Sequence, residues 1–119
     1  MSRRLTALAG LLVVLAAGLA IAQEARPAGP SFRAEAEPDL LGRRGRAIVG
    51  WLYNDRAGGI SNVRVRVDVL EVGQIVASGE AYVYGNVPGR GRSYFFVPVP
   101  RYGDDYRVTV IRYDRLEME

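Results

Sequence analysis

An alternation of apolar and polar residues with a period of two is the feature that most constrains the fold of this chain. In its clearest instance, residues 62–70, four valines alternate with two arginines and an aspartate. Side chains of a strand point alternately to the two faces of the sheet, so this pattern is typical of a half-buried strand. Turn-forming residues interrupt such stretches, and no stretch has the period of a helix. The chain is therefore predicted to be all-β, an immunoglobulin-like antiparallel β-sandwich of about seven strands.

The predicted strands can be arranged in two ways. They comprise residues 32–37, 46–54, 62–70, 74–78, 80–84, 93–99 and 106–114, and Gly79 is interpreted as a break between the fourth and the fifth. If the second and third strands form a hairpin with their apolar faces inward, one register that satisfies this condition places Trp51 opposite Arg66 and Tyr53 opposite Arg64. In an immunoglobulin topology the same two strands belong to different sheets, and this pairing fails.

The N-terminal segment has the three parts of a secretory signal peptide. Arg3 and Arg4 precede an apolar run from Leu5 to Ile21, and small residues at 20 and 22 form a cleavage site before Gln23. The predicted organisation is a signal peptide at 1–22, a flexible tether at 23–31, a β-sandwich domain at 32–114 and a frayed C-terminus at 115–119. The domain is expected to be secreted or periplasmic, with membrane attachment only if the segment stays uncleaved.

The residue types that the chain lacks exclude most chemistry. It has no cysteine, histidine or lysine, and all 16 of its basic side chains are arginines. Zinc fingers, thiol proteases, histidine-dependent triads and disulfide frameworks need those residues, and the serines have no usual activating base. We expect no enzymatic activity and no cofactor. Cleavage after Ala22 removes two arginines and leaves 14 against 13 acidic residues, so nucleic-acid binding is not expected either.

The second predicted strand is apolar on both faces, although a sandwich strand needs only one inward face. Its outer aromatic residues have two interpretations: arginines stack on them as a local stabilising arrangement, or they form an exposed surface for a partner protein, a second copy or a glycan. The candidate interaction surface comprises Trp51, Tyr53, Arg64, Arg66, Tyr82 and Tyr84.

Four aspartates carry the oxygen ligands that a calcium site needs. Asp104 and Asp105 are adjacent in a turn, and Asp55 or Asp114 could add oxygen ligands. Their spacing does not match an EF-hand loop, so no metal site is predicted.

Three short motifs resemble the FxLYD-domain family of small exported bacterial and archaeal β-sandwich domains. The first is Ile48-Val49-Gly50-Trp51-Leu52-Tyr53-Asn54, the second is Val67-Asp68-Val69-Leu70-Glu71 followed by Gly73, and the third is Val87-Pro88-Gly89 before Phe96. The name-giving motif is replaced conservatively, with Val67, Val69, Leu70 and Glu71 where the family has Phe, Leu, Tyr and Asp. The resemblance implies a β-sandwich fold and an exported location, and no catalytic residues.

These observations together predict a non-enzymatic, exported interaction or accessory domain of the cell envelope. An envelope protein or a second copy is the expected partner. The alternative is a carbohydrate-binding module that uses exposed aromatic rings. Coplanar exposed rings would favour a glycan, whereas a flat apolar patch or an open strand edge would favour a protein.

Overall fold

A computed structural model describes residues 24–116, which contain seven β-strands and no helix. The strands are β1 (Arg26–Gly29), β2 (Phe32–Pro38), β3 (Ala47–Asn54), β4 (Ile60–Glu71), β5 (Gln74–Tyr82), β6 (Arg92–Pro98) and β7 (Asp105–Arg115). They form a four-stranded sheet in the order β1-β2-β3-β6 and a three-stranded sheet in the order β5-β4-β7, with antiparallel pairing throughout. The prediction of an all-β sandwich is confirmed.

The core fills the space between the two sheets. The four valines of β4 are at most 1% exposed, which confirms the inward face that their alternation predicted. Ile48 and Leu52 of β3 and Phe95 of β6 meet them from the four-stranded sheet and are fully buried. Burying each of these side chains stabilises the fold by about 1.5–3 kcal/mol before the entropy cost of ordering the chain.

The second and third predicted strands, which correspond to β3 and β4, lie in different sheets. The hairpin arrangement is therefore wrong, and Trp51 does not lie opposite Arg66. On β3, Trp51 is instead paired with Glu35 of β2 on one side and Tyr94 of β6 on the other. Sequence periodicity gives the face of a residue and leaves the neighbouring strand undetermined.

The fourth and fifth predicted strands are one continuous strand, β5. Gly79 lies within it, opposite Val67. A Cβ atom at position 79 would overlap the carbonyl oxygen of Pro98 at the end of β6. The glycine therefore permits close approach of the two sheets, and it does not end a strand.

The ends of the domain also differ from the prediction. A tether is predicted over residues 23–31, whereas Arg26–Gly29 pairs with β2 and buries Ala28. Arg26 also forms an ion pair with Asp105, with a distance of 2.7 Å between Nη2 and Oδ1. At the other terminus β7 extends to Arg115. The predicted signal peptide at 1–22 and residues 117–119 lie outside the described residues, and no helix in residues 24–116 is long and apolar enough to cross a membrane.

Antiparallel pairing places alternate loops at opposite ends of the sandwich. The loops at 39–46, 72–73 and 99–104 share the end that we call the leucine end, after Leu40 and Leu41. The loops at 55–59 and 83–91 share the opposite end, where the side chain of the buried Asn54 binds both.

Candidate interaction surface

The outer side of the four-stranded sheet carries a set of apolar and aromatic side chains that are half-buried or exposed. Alternation turns Ile48 and Leu52 inward, so Val49, Trp51 and Tyr53 face outward. The cross-strand pairs Trp51–Tyr94 and Val49–Phe96 bring the same face of β6 beside them. We call this set the aromatic face: Val49, Trp51, Tyr53, Tyr84, Tyr94 and Phe96.

Tyr84 joins the aromatic face although it follows β5 of the other sheet. Its backbone N–H donates a hydrogen bond of 2.9 Å to the carbonyl oxygen of Tyr94, so the chain crosses to the edge of the four-stranded sheet at this point. The two tyrosine rings stack, with a centroid distance of 5.8 Å and an interplanar angle of 25°. Trp51 meets Tyr94 edge to face, at 5.5 Å and 75°. The rings therefore pack against one another and do not form a coplanar platform.

Three arginines stack on these rings. The guanidinium carbon of Arg92 lies 4.1 Å from the centroid of the Trp51 ring, and that of Arg33 lies 4.8 Å from the Tyr53 centroid. Arg44, from the loop before β3, lies 3.9 Å from the Phe96 centroid. Each such contact contributes about 0.5–1 kcal/mol at an exposed site. Stacking of arginines on the outer rings thus occurs, with partners other than those that the hairpin arrangement predicted.

A depression of about 250 Å³ lies between β2, β3 and β6 on this face. Glu35 and Glu37 line one side of it, and Trp51 and Tyr94 line the other. Within residues 24–116 neither glutamate side chain has a hydrogen bond or an ion pair. The arginines that stack on the rings add positive charges to the same surface. Charged side chains of both signs therefore border the aromatic face.

The predicted site residues are divided between the two sheets. Trp51, Tyr53 and Tyr84 belong to the aromatic face, and Trp51 is half-buried there, outside the core. Arg64, Arg66 and Tyr82 lie on the outer side of the three-stranded sheet.

The three residues on the three-stranded sheet are held by neighbours. Arg64 pairs with Glu80, with 2.9 Å between Nε and Oε1, and lies 5.0 Å from the centroid of the Tyr82 ring. Arg66 approaches the buried Asp68 at 3.5 Å between Nε and Oδ1. Both arginines therefore have carboxylate partners within their own sheet, unlike Glu35 and Glu37 beside the aromatic face.

Sequence reasoning missed Tyr94, Phe96 and Arg92 as members of the surface. The alternation in β6 places all three on one side of the strand, which was readable from the sequence. What was not readable is that β6 pairs with β3, more than forty residues earlier in the chain. Burial raises the pKa of Tyr94 above its ordinary value of 10.0, with a smaller contribution from the charge of Asp39. The phenol is consequently neutral at physiological pH.

The four aspartates that could supply calcium ligands do not form one site. Asp104 and Asp105 lie at the leucine end, where Asp104 accepts a hydrogen bond from the N–H of Val72 and Asp105 pairs with Arg26. Asp55 pairs with Arg33, and Asp114 accepts a hydrogen bond from Asn62, both at the opposite end. Residues 24–116 contain no group of three or more side chains with metal-ligating chemistry.

No family model, curated protein or solved structure matches this chain. The resemblance to the FxLYD-domain family stays a prediction.

Proposed function

We propose that the chain is an exported, non-enzymatic domain of the cell envelope that binds another protein through the aromatic face. The observation that carries this proposal is the placement of aromatic and apolar side chains on the outer side of three neighbouring elements, where a sandwich needs none for its core. Trp, Tyr and Arg are the residue types that contribute most to binding in protein interfaces. Rigid rings that already pack on one another also lose little entropy when a partner covers them.

The ring geometry gives less support to the carbohydrate-binding alternative. A sugar stacks on an open aromatic face, whereas Arg92 covers a face of Trp51 and Tyr84 covers one of Tyr94. Trp51 and Tyr94 are also inclined at 75° to each other, so they do not offer one plane to a sugar ring.

The proposal is tested by comparing variants on the two sheets. The double variant Trp51→Ala/Tyr94→Ala removes the centre of the aromatic face, and Tyr82→Ala removes an exposed ring of the other sheet as the matched control. Immobilised wild type and control should capture the same envelope protein, and the double variant should retain at most about a tenth of it, as expected for the loss of interface hot spots. Equal capture by the double variant would refute the proposal.

A fluorescence measurement separates protein binding from glycan binding. Trp51 is the only tryptophan of the chain, so its emission reports on the aromatic face alone. Iodide should quench it in the free domain, and the captured protein should protect it from quenching. Envelope oligosaccharides should leave the quenching unchanged, and saturable protection by an oligosaccharide would favour the alternative.

A further inference from the structure

The most exposed large apolar side chains among residues 24–116 lie at the leucine end. Val72 is 89% exposed, Leu41 79% and Leu40 77%, and no other large apolar residue described exceeds 55%. Leu40 and Leu41 are on the loop between β2 and β3, and Val72 is on the turn between β4 and β5. Two loops that are separate in sequence thus expose apolar tips at one end of the fold. Single exposed apolar residues are common, but a concentration of the largest ones is typical of a contact surface.

The backbone of Val72 also adopts a conformation that is unfavourable for valine. Its φ is 49° and that of Gly73 is 75°, so both central residues of this two-residue turn are in the left-handed region. Such turns favour Asn or Asp followed by Gly, and a β-branched residue at positive φ is a rare, strained exception. Neither the fold nor the solubility of the domain benefits from valine here. Strain at an exposed position therefore points to a role outside the fold.

Arginines follow the leucines in the same loop. The loop at 39–46 contains Arg43, Arg44 and Arg46 against a single acid, Asp39, although the domain as a whole is nearly neutral. Arg43 has no ion pair within residues 24–116, and Arg46 uses only its Nε, which donates to the carbonyl oxygen of Pro100 at 3.0 Å. Guanidinium groups bind phosphate oxygens through paired hydrogen bonds. The loop thus combines apolar tips with phosphate-binding groups.

This combination fits a lipid surface better than a folded protein. A protein interface needs a contiguous, closely packed core, and the apolar residues here are tips of separate loops. A fluid bilayer accommodates separate tips, because each side chain enters the boundary between headgroups and acyl chains independently. Arginines next to the tips then remain at the level of the headgroup phosphates.

We propose that the leucine end docks on an anionic lipid bilayer, with Leu40, Leu41 and Val72 entering its surface and Arg43 and Arg46 binding lipid phosphates. This inference is independent of the proposed protein-binding function. The chain enters the fold from the same end, because β1 runs antiparallel to β2 and β2 ends at the leucine end. With the leucine end on the bilayer, the strands point away from the membrane surface, and the aromatic face remains accessible to a protein partner.

Vesicle co-sedimentation of residues 23–119 tests the proposal. These residues include both sheets and the whole described core, and cooperative thermal unfolding verifies that each protein is folded. The wild type should bind vesicles of phosphatidylcholine with 30% phosphatidylglycerol, should bind pure phosphatidylcholine at least about tenfold more weakly, and should dissociate as salt is raised. Absence of binding to the anionic vesicles would overturn the proposal.

Variants of the loops identify the docking residues. Leu40→Ser/Leu41→Ser should weaken the partition coefficient by about tenfold or more, and Arg43→Gln by about fivefold. Leu116→Ser changes a leucine of 37% exposure at the opposite end and should bind like the wild type. Equal binding by the leucine double variant, or equal loss with Leu116→Ser, would show that the leucine end does not dock.

Val72→Asn separates docking from stability. Asparagine suits the left-handed turn, so the melting temperature should rise by about 5 °C, while vesicle binding should weaken severalfold. A simple loss of folding cannot produce this pair of changes. Unchanged vesicle binding by the more stable variant would remove Val72 from the docking surface and would contradict the proposal as stated.

Discussion

At the scale of single residues, the side chain of Asn54 holds together the two loops at the end opposite the leucine end. It is fully buried at the end of β3. Its Nδ2 donates to the carbonyl oxygens of Gly58 and Pro88 at 2.9 and 3.2 Å, and its Oδ1 accepts the N–H of Arg56 at 2.9 Å. One side-chain amide thus forms hydrogen bonds with backbone groups of two loops that are 30 residues apart in the chain. These buried backbone groups need such a partner because water does not reach them.

Asn54→Ala should lower the free energy of unfolding by about 3 kcal/mol, because it leaves buried backbone groups unpaired. Urea unfolding followed by Trp51 fluorescence measures the change. Asn86→Ala is the control, since Asn86 is exposed and its side chain makes no hydrogen bond within the described chain; it should change stability by less than about 0.5 kcal/mol. Similar effects of the two substitutions would contradict the role assigned to Asn54.

At the scale of strands, Gly79 shows how two sheets meet. It lies in β5 opposite Val67, and its missing side chain leaves room for the backbone of β6 at Pro98. Its φ is not in the left-handed region, so conformational freedom does not explain the glycine. Position 79 needs glycine because a side chain would not fit between β5 and β6. Position 73 differs, because glycine is favoured there by the positive φ of the turn.

Gly79→Ala should therefore destabilise the domain by about 2 kcal/mol, because the added methyl group forces β5 and β6 apart. Gly58→Ala serves as the matched control, since a Cβ there meets nothing within 4 Å. That control should be neutral or stabilising by up to about 1 kcal/mol through the unfolded state. The two midpoints in urea give the comparison, and a neutral Gly79→Ala would mean that the sheets adjust at no cost.

The same elements show what sequence could predict. Alternation predicted the inward valines of β4 and placed Trp51 on the face opposite Ile48 and Leu52, because side-chain direction in a strand is a local property. It did not decide which face of β3 points inward, since both faces of that strand carry apolar residues. The roles of Gly79 and of Arg92 depend on which strands are neighbours, and that is decided by contacts between distant segments. For the same reason Ala28 gave no signal of strand β1, since its burial depends on packing beside β2 and β7.

At the scale of the whole molecule, the absence of histidine, cysteine and lysine simplifies titration. Tyrosine is the only side-chain type of this chain with an ordinary pKa between about 7 and 12, and arginine stays charged throughout that range. Burial raises the pKa of Tyr94 and of Tyr106 above 10.0. Around Tyr94, the charges of Asp39, Tyr84 and Glu37 also raise the pKa, and the charge of Arg44 opposes them.

A raised pKa in the folded state means that the folded protein holds the phenol proton more tightly than the unfolded chain does. The resulting stabilisation is fully present below pH 10 and is lost as the pH rises through the folded-state pKa values. Urea midpoints should consequently be constant between about pH 8 and 9 and should fall above about pH 10. Tyr94→Phe keeps the ring contacts and removes the ionisation, so its midpoint should fall less steeply. A midpoint that rises above pH 10, or an unchanged slope for Tyr94→Phe, would exclude tyrosine burial as the cause.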